Sequence, residues 1–303
     1  MTPAVSVIIP TRNRADILEQ TLPTLLQQDL GGSDYEVIVV EDDSPDRTSE
    51  MLAGISSPRL RWERLPRTAP GAISRVRNRA IALARAETIV SVDDDAFVAR
   101  DYLATHLARQ REGQELIVTG PIIEIETPPA DIETAARAAR RGWHRNPYPS
   151  GNASAPKALL ERIGGYDEDF TLYGWEDMEF ARRLLKAGAR RVYEPRAAIL
   201  HYKPRSAPRA FGDRLRTEIQ RGAMGAVFHQ KHPEFGVAVQ TKRLGLLRAI
   251  DGGLNALFGL DARTDAVLAG APVPTSRLMR FLLREHAEIS GARLLSVLRE
   301  MQT

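Results

Sequence analysis

An open α/β sheet covered by helices, with a helical extension behind it, is the fold that this sequence predicts. Three observations carry the prediction. Short β-branched runs alternate with stretches at helical spacing through residues 5–200. Three of those runs end in polar clusters, at Pro10–Arg14, Glu41–Ser44 and Asp93–Asp95. Beyond Pro204 only helical spacing remains.

The elements follow in order. Val5–Ile9 is a buried-strand run closed by Pro10. Asp16 is placed to cap a helix carrying Leu18, Leu22, Leu25 and Leu26, with Pro23 as its weak point. Gly31-Gly32 stops that helix, and Glu36–Val40 is a second buried strand. The polar turn Glu41–Asp46 leads to a short helix near Arg47–Leu52, and Leu60–Leu65 alternates as an edge strand does. Ser74–Ala86 reads as a helix with Val76, Ala80, Leu83 and Ala84 inward. Thr88–Val92 is a strand ending at Asp93-Asp94-Asp95, and Leu116–Thr119 is another strand. The stretch Thr127–Ser150 predicts a helix over Ala135–Arg141 within a mobile loop. Glu176–Ala187 is a helix stopped by Gly188, and Val192-Tyr193 and Ile199-Leu200 flank a turn before His201. In the rest of the chain Leu247, Ile250, Leu254 and Leu257 recur at helical spacing. Leu278, Leu282, Ile289, Leu295 and Leu298 do so more loosely. Two domains are expected, 1–204 and a mainly helical 205–303.

Composition narrows the function classes. At 303 residues the chain can bury a sizeable core, and 43% apolar with 27% charged residues excludes a mainly disordered chain. It has no cysteine, hence no disulfide, thiolate metal site or thiol nucleophile, which fits a reducing compartment. Residues 1–204 carry 27 basic against 30 acidic side chains, net −3, whereas 205–303 carry 15 against 9, net +6. No apolar run reaches the roughly 18 residues of a membrane span, and the N-terminus reads as a strand rather than a signal peptide. The expected location is cytoplasmic, in part peripheral to the membrane.

In an open α/β sheet, ligands bind beyond the carboxyl ends of the strands, so the three polar clusters should converge there. Adjacent carboxylates repel and raise one another's pKa values. A divalent cation removes that cost, and hard oxygen ligands suit Mn²⁺ or Mg²⁺. Neither G-x-G-x-x-G nor the P-loop pattern occurs. Phosphates would therefore be held by metal and by arginines, for which Arg12, Arg14, Arg75 and Arg77 are candidates. In Gly174-Trp175-Glu176-Asp177, the two acids open a helix, whose positive end favours ionised carboxylates and so suits a general base. Trp175 offers a flat face for a sugar. His201 joins the cation site if it faces Asp93–Asp95 as a neutral imidazole.

These segments resemble family 2 of the glycosyltransferases, with the GT-A nucleotide-sugar fold. The resemblance spans about 4–204. It rests on VSVIIPTRNR (5–14), VIVVEDDSPDRT (37–48), SRVRNRAIALARAETIVSVDDDAF (74–97), GNASAPKALLERIGGYDEDF (151–170) and GWEDMEFARRL (174–184). It implies transfer of a sugar from a nucleoside diphosphate donor, with inversion, to an acceptor hydroxyl. Pro10, Thr11 and Arg12 would line the nucleoside pocket, with Asn152 among the donor contacts. Asp42 would accept the N3–H of uracil or thymine. Asp93–Asp95 match the family's D-x-D motif, with Asp93 or Asp94 on the ribose and Asp95 on the metal, which His201 completes in some relatives. Asp177 would be the catalytic base and Glu176 would hold a hydroxyl. Glu41 stands where Asp is more usual, and Asp43 where Gly is common. The product class implied by family habit is a surface polysaccharide, a glycolipid or a tailored metabolite.

Rival readings are a sugar nucleotidyltransferase or phosphohydrolase on the same acidic cluster, and a non-catalytic nucleotide-sugar-binding protein. The segment 242–258, KRLGLLRAIDGGLNALF, combines an apolar stripe with Lys242, Arg243 and Arg248. It suits either a helix on an anionic membrane or a packing or homo-oligomer contact. Nucleic-acid binding is not expected, since no basic face with interleaved aromatics occurs.

Overall fold

The computed structural model describes residues 2–67, 73–138, 146–204 and 210–294. The chain divides into two compact units, Met1–Glu168 with Asp177–Arg205, and Asp169–Glu176 with Ser206–Thr303. The second unit thus takes in a short piece, Asp169–Glu176, that lies within 1–204 in the sequence.

The first unit begins β1 (Val5–Thr11), α1 (Ala15–Leu26), β2 (Tyr35–Glu41), α2 (Thr48–Ala53), β3 (Leu60–Arg64) and α3 (Ile73–Leu83). It continues β4 (Thr88–Val92), β5 (Ala96–Val98), α4 (Tyr102–Gln110), β6 (Leu116–Thr119), β7 (Ile122–Ile125) and α5 (Ile132–Ala138). It ends β8 (Asn152–Pro156), α6 (Lys157–Arg162), α7 (Glu176–Lys186), β9 (Arg190–Tyr193) and β10 (Ile199–Tyr202). Seven strands form one sheet in the order β3-β2-β1-β4-β8-β6-β9. All pairs are parallel except those of β8, which runs against β4 and β6. A second sheet has the order β5-β10-β7.

Both faces of the large sheet are covered, which is why β1 and β2 read as continuous apolar runs rather than alternating ones. Val7, Ile9, Val37 and Val39 pack with Leu18 and Leu22 on one face. Ile8, Ile38 and Val40 pack with Val76, Ala80, Phe180 and Leu184 on the other. The helix α1 runs through Pro23 and starts at Ala15, whose N–H donates to Asp46. Asp16, expected as its cap, instead sits in the first turn and pairs with Arg47.

Several elements carry no strong sequence signal. The strand β8, Asn-Ala-Ser-Ala-Pro, has no β-branched residue, yet it lies between β4 and β6. Its small side chains fit there because Ala153 and Ala155 face one apolar core while Ser154 bonds to His106 and Gln110 of α4. The helix expected over Ala135–Arg141 is observed as Ile132–Ala138; residues 139–145 lie outside the described part.

In the second unit, α8 (Phe211–Lys231), α9 (Phe235–Gln240), α10 (Gly245–Phe258), α11 (Leu260–Leu268) and α12 (Arg277–Ile289) follow one another. Leu215, Ile219, Leu260, Leu283 and Ala287 form its core. Close approach comes from Gly222, which faces the Glu288 carbonyl, and from Gly291, which faces that of Ile219. Leu295 and Leu298 lie outside the described residues. Among those described, no helix is long and apolar enough to cross a membrane.

The passage from the large sheet to the small one turns on Gly120, between β6 and β7, where an added Cβ would overlap the carbonyl of Ala197. That neighbour is backbone and cannot swing aside. Gly120→Ala is therefore expected to destabilise the first unit by about 1–3 kcal/mol, read as a lowered midpoint in urea unfolding; an unchanged midpoint would show that the two segments can part freely.

Candidate active site

The large sheet delivers its polar strand ends to one edge. Parallel β1, β2 and β4 end side by side, at Thr11, Glu41 and Val92. Because β8 runs backwards, its start also lies there, with Asn152 opposite Val92. The helix α7 precedes β9, which runs with the parallel strands, so α7 opens at that edge too. His201 arrives from the small sheet, where it pairs with Ala96, and Tyr202 N donates to the Asp95 carbonyl at 2.7 Å.

The three aspartates that follow β4 have different surroundings. Asp94 is buried; Thr11 Oγ1 donates to its Oδ2 at 2.7 Å, and Arg14 Nε lies 3.7 Å from Oδ1. Burial nevertheless pushes its carboxyl up to about 7. Asp95 Oδ1 is 2.8 Å from His201 Nε2, and its Oδ2 is 3.3 Å from Arg14 Nη2. Burial opposes charge on His201, but Asp95 outweighs it and the imidazole is raised above its usual range. Asp93 is the more exposed of the three, with the buried Arg77 3.9 Å away and that guanidinium over the Tyr166 ring.

One ligand atom from each of Asp93, Asp95 and His201 lies within 4.8 Å of the others. Two carboxylate oxygens and one imidazole nitrogen make a donor set that fits Mn²⁺ or Mg²⁺. A cation there would counter the Asp95 charge as a protonated imidazole does, so cation and proton would compete for His201.

A second group surrounds Asp42. Its N–H donates to the Thr11 carbonyl, and Arg12 and Arg67 each stand 3.9 Å from its Oδ2. Burial raises its carboxyl against the pull of Arg67, Arg12 and Arg75. Its Oδ1 is buried with no hydrogen-bond partner, as is Arg12 Nε. An orphaned buried acceptor is costly unless a ligand donor reaches it.

Asp177, in the first turn of α7, accepts a hydrogen bond from Asn146 Nδ2 at 2.6 Å. The segment 146–151 then runs back to the aspartates. Tyr148 packs edge-on against Phe180 of α7 at 5.1 Å, and Ser91 donates to the Ser150 carbonyl. Gly151 abuts Asp93 so closely that an added Cβ would overlap Asp93 Oδ2. Asp177 and the triplet are thus tied to the two ends of one short loop.

Residues 6–166, just over half of the chain, match the model for "Glycosyl transferase family 2". The chain belongs to glycosyltransferase family 2. Residues 132–206 also match the model described as the N-terminal domain of galactosyltransferase. A validoxylamine A glucosyltransferase of Streptomyces hygroscopicus subsp. jinggangensis is 29% identical over 219 residues, 60% of this chain and 51% of that one. The chain spans about half the length of the curated relatives it matches first. In fold it is similar to the mannosyltransferase PcManGT of Pyrobaculum calidifontis in complex with GDP-Man and Mn²⁺, with TM-score 0.58 and 21% identity over 98% of this chain and 88% of that one. It is also similar to residues 1–349 of TarS of S. aureus in complex with UDP-GlcNAc, with TM-score 0.55 and 19% identity over 99% and 92%. The fold is GT-A, a mostly parallel sheet flanked by helices.

Against the family pattern, several expected site residues take other parts. Asn152 is fully buried, and its amide donates to the carbonyls of Pro121 and Ala197 while its Oδ1 takes the Tyr102 hydroxyl. It joins the two sheets, and its polar atoms are engaged within the protein. Trp175 also has partners of its own. In the second unit its Nε1 donates to the Arg221 carbonyl, Arg221 covers its ring at 5.1 Å, and Phe228 stands 5.9 Å away. Pro10 is buried in β1 opposite Val40, and Arg75 donates to the Pro66 carbonyl. Glu176 opens α7 beside Asp177. Glu41, in place of the usual Asp, is fully buried, accepts from Ser44 N and Ser49 Oγ, and braces the turn. Asp43 has φ of 46°, a left-handed conformation that explains why Gly is common there.

Sequence reading overlooked Asn146, Gly151 and Arg67. None lies in a cluster of chemistry-bearing residues; only the chain path brings them in. Gly151→Ala should rotate Asp93 out of the cluster and weaken Mn²⁺ binding by about tenfold, a loss of about 1.4 kcal/mol, with little change in thermal stability. Titration calorimetry with Mn²⁺ checks it, and an unchanged affinity would remove Asp93 from the metal site.

Proposed function

We propose that this chain is a metal-dependent, inverting glycosyltransferase that moves a sugar from a nucleoside diphosphate donor to an acceptor hydroxyl. The observation that carries the reading is the convergence of Asp93, Asp95 and His201, with Asp177 held at the other end of the adjoining loop. Family membership supports it, as do neighbours of the same fold bound to GDP-Man with Mn²⁺ and to UDP-GlcNAc.

Each group has a part in this reading. Asp42 accepts the N3–H of a uracil or thymine base with its orphaned Oδ1, flanked by Arg12 and Arg67. Asp93, Asp95 and His201 hold the cation, which when bound neutralises the departing diphosphate. Arg14 holds Asp94 and Asp95 in place. Asp177 takes the proton of the attacking acceptor hydroxyl, and Asn146 orients its carboxylate by donating to Oδ2. Attack in line with the leaving diphosphate inverts the anomeric carbon. The teichoic-acid type of chemistry named for a relative, the poly(ribitol-phosphate) beta-glucosyltransferase of Bacillus spizizenii (30% identical over 39% of this chain and 19% of that one), makes a surface polymer one class of acceptor to try.

Asp177→Asn is expected to lower transfer by about 10²–10⁴ while the donor still raises the melting temperature in the presence of Mn²⁺. Equal loss of binding and transfer would take the base role away from Asp177. A donor at 100 times its dissociation constant adds about 2.7 kcal/mol, so a thermal-shift panel of UDP-, dTDP- and GDP-sugars identifies the nucleotide. EDTA should abolish transfer and added Mn²⁺ or Mg²⁺ restore it; full activity in EDTA would end the metal assignment.

A further inference from the structure

The helix α10 is inside out for a protein in water. Its sequence, GLLRAIDGGLNALF, is mostly apolar, yet its one buried residue is Asp251. Leu246 is 72% exposed, Ile250 50% and Leu257 73%. At 3.6 residues per turn these three fall within about 40° of one another, opposite Asp251 and Asn255. The inward side is held by polar contacts: Asp251 with His286 Nδ1 at 2.9 Å and with Ser290, and Asn255 with Asp261. Of its apolar residues Leu254 packs against the core. Burial of apolar area is the main stabilising term in water, and the stripe of Leu246, Ile250 and Leu257 is left exposed for something else.

Beside this helix lies a cavity of about 660 Å³ lined by Arg243, Arg248 and Arg293, with Asp251 also in its wall and Arg293 paired with Asp261 at 2.7 Å. Arg243 is half-buried and donates to the Gly222 carbonyl; burial and the like charge of Arg248 work against its protonated form, and Glu288 only partly offsets them. Holding two guanidiniums in each other's field is a cost that an anion removes. The pattern recurs on α12, where exposed Leu278 and Phe281 sit among Arg277, Arg280 and Arg284.

We infer that the second unit docks on an anionic lipid bilayer, with the outward face of α10 in the interface and the neighbouring arginine-lined cavity receiving lipid phosphate. Amphipathic helices with an apolar face and flanking bases bind in this way. Charge decides between a bilayer and a second copy of the chain. Residues 205–303 carry 15 basic against 9 acidic side chains. Two copies meeting through α10 would bring like charges together, whereas anionic headgroups neutralise them. The inference stands apart from the catalytic reading, because it rests on the helical unit alone.

Co-sedimentation of the full chain with extruded vesicles tests it. The chain should bind vesicles containing phosphatidylglycerol and bind pure phosphatidylcholine much more weakly. Leu246→Asp with Leu257→Asp, both at exposed positions and so compatible with folding, should cut binding by at least about tenfold. Arg248→Glu should cut it on anionic vesicles by about tenfold. Absent vesicle binding, or binding unchanged by these substitutions, would overturn the proposal. So would a dimer in light scattering that the double substitution dissociates in the absence of vesicle binding, since that assigns the face to a second copy. Release from vesicles by inorganic phosphate alone, with the leucine substitutions silent, would assign the cavity to a free anion and likewise refute docking.

Discussion

Three consecutive carboxylates at the end of a buried strand are the constraint around which this molecule is arranged. The interior of the sheet sets their position, because β4 is flanked by β1 and β8 and cannot shift without disturbing both. Their mutual repulsion is then relieved one by one. Asp94 is buried, which pushes its carboxyl up to about 7, with Thr11 as a donor. Asp95 is balanced by Arg14 and His201, and Asp93 faces Arg77. What is left at the edge is a pair of carboxylate oxygens and an imidazole nitrogen suited to a hard divalent cation. The rest of the first unit supports that arrangement.

The support comes from connections rather than from catalytic groups. Asn152 bonds to both crossing segments, at Pro121 and Ala197, and so fixes the small sheet that carries His201. Gly120 lets those segments meet, and Gly151 leaves room for Asp93. Tyr148, Tyr166 and Phe180 pack together, with Tyr166 and Phe180 stacked at 3.8 Å, and so attach the 146–151 loop to the helix that begins at Asp177. These small and aromatic residues carry no charge and no nucleophile, yet the geometry of the acids depends on them.

The helical unit obeys a different logic. Its core is built by α8, α11 and α12, which close on one another through Gly222 and Gly291. The helix α10 is attached to that core mainly by its polar side, including the buried pair of Asp251 and His286. Of the apolar side chains of α10 only Leu254 packs against that core, and the Leu246, Ile250 and Leu257 side is left exposed. That is the physical sense in which 205–303 differs from the sheet unit, where apolar side chains on both faces are consumed by the core.

The sequence by itself determined the β-branched strands, their mostly parallel arrangement, and the polar clusters at Pro10–Arg14, Glu41–Ser44 and Asp93–Asp95, because strand runs and strand-end polarity are local patterns. It also pointed to Asp177 and His201 through the family's motifs. Only the tertiary structure decided which of these meet. The antiparallel β8, made of Asn, Ala, Ser and Pro, has no local signal, since its stability comes from the neighbours it fills in between. Asn152 and Trp175 read as ligand contacts in a motif, but hydrogen bonding is a property of the whole packing, and in the fold both side chains also tie segments together. The facing of α10 was settled in the same way. Its spacing specifies an amphipathic helix, whereas which side turns inward depends on partners far along the chain, such as His286, 35 residues from Asp251, and Ser290, 39 residues from it.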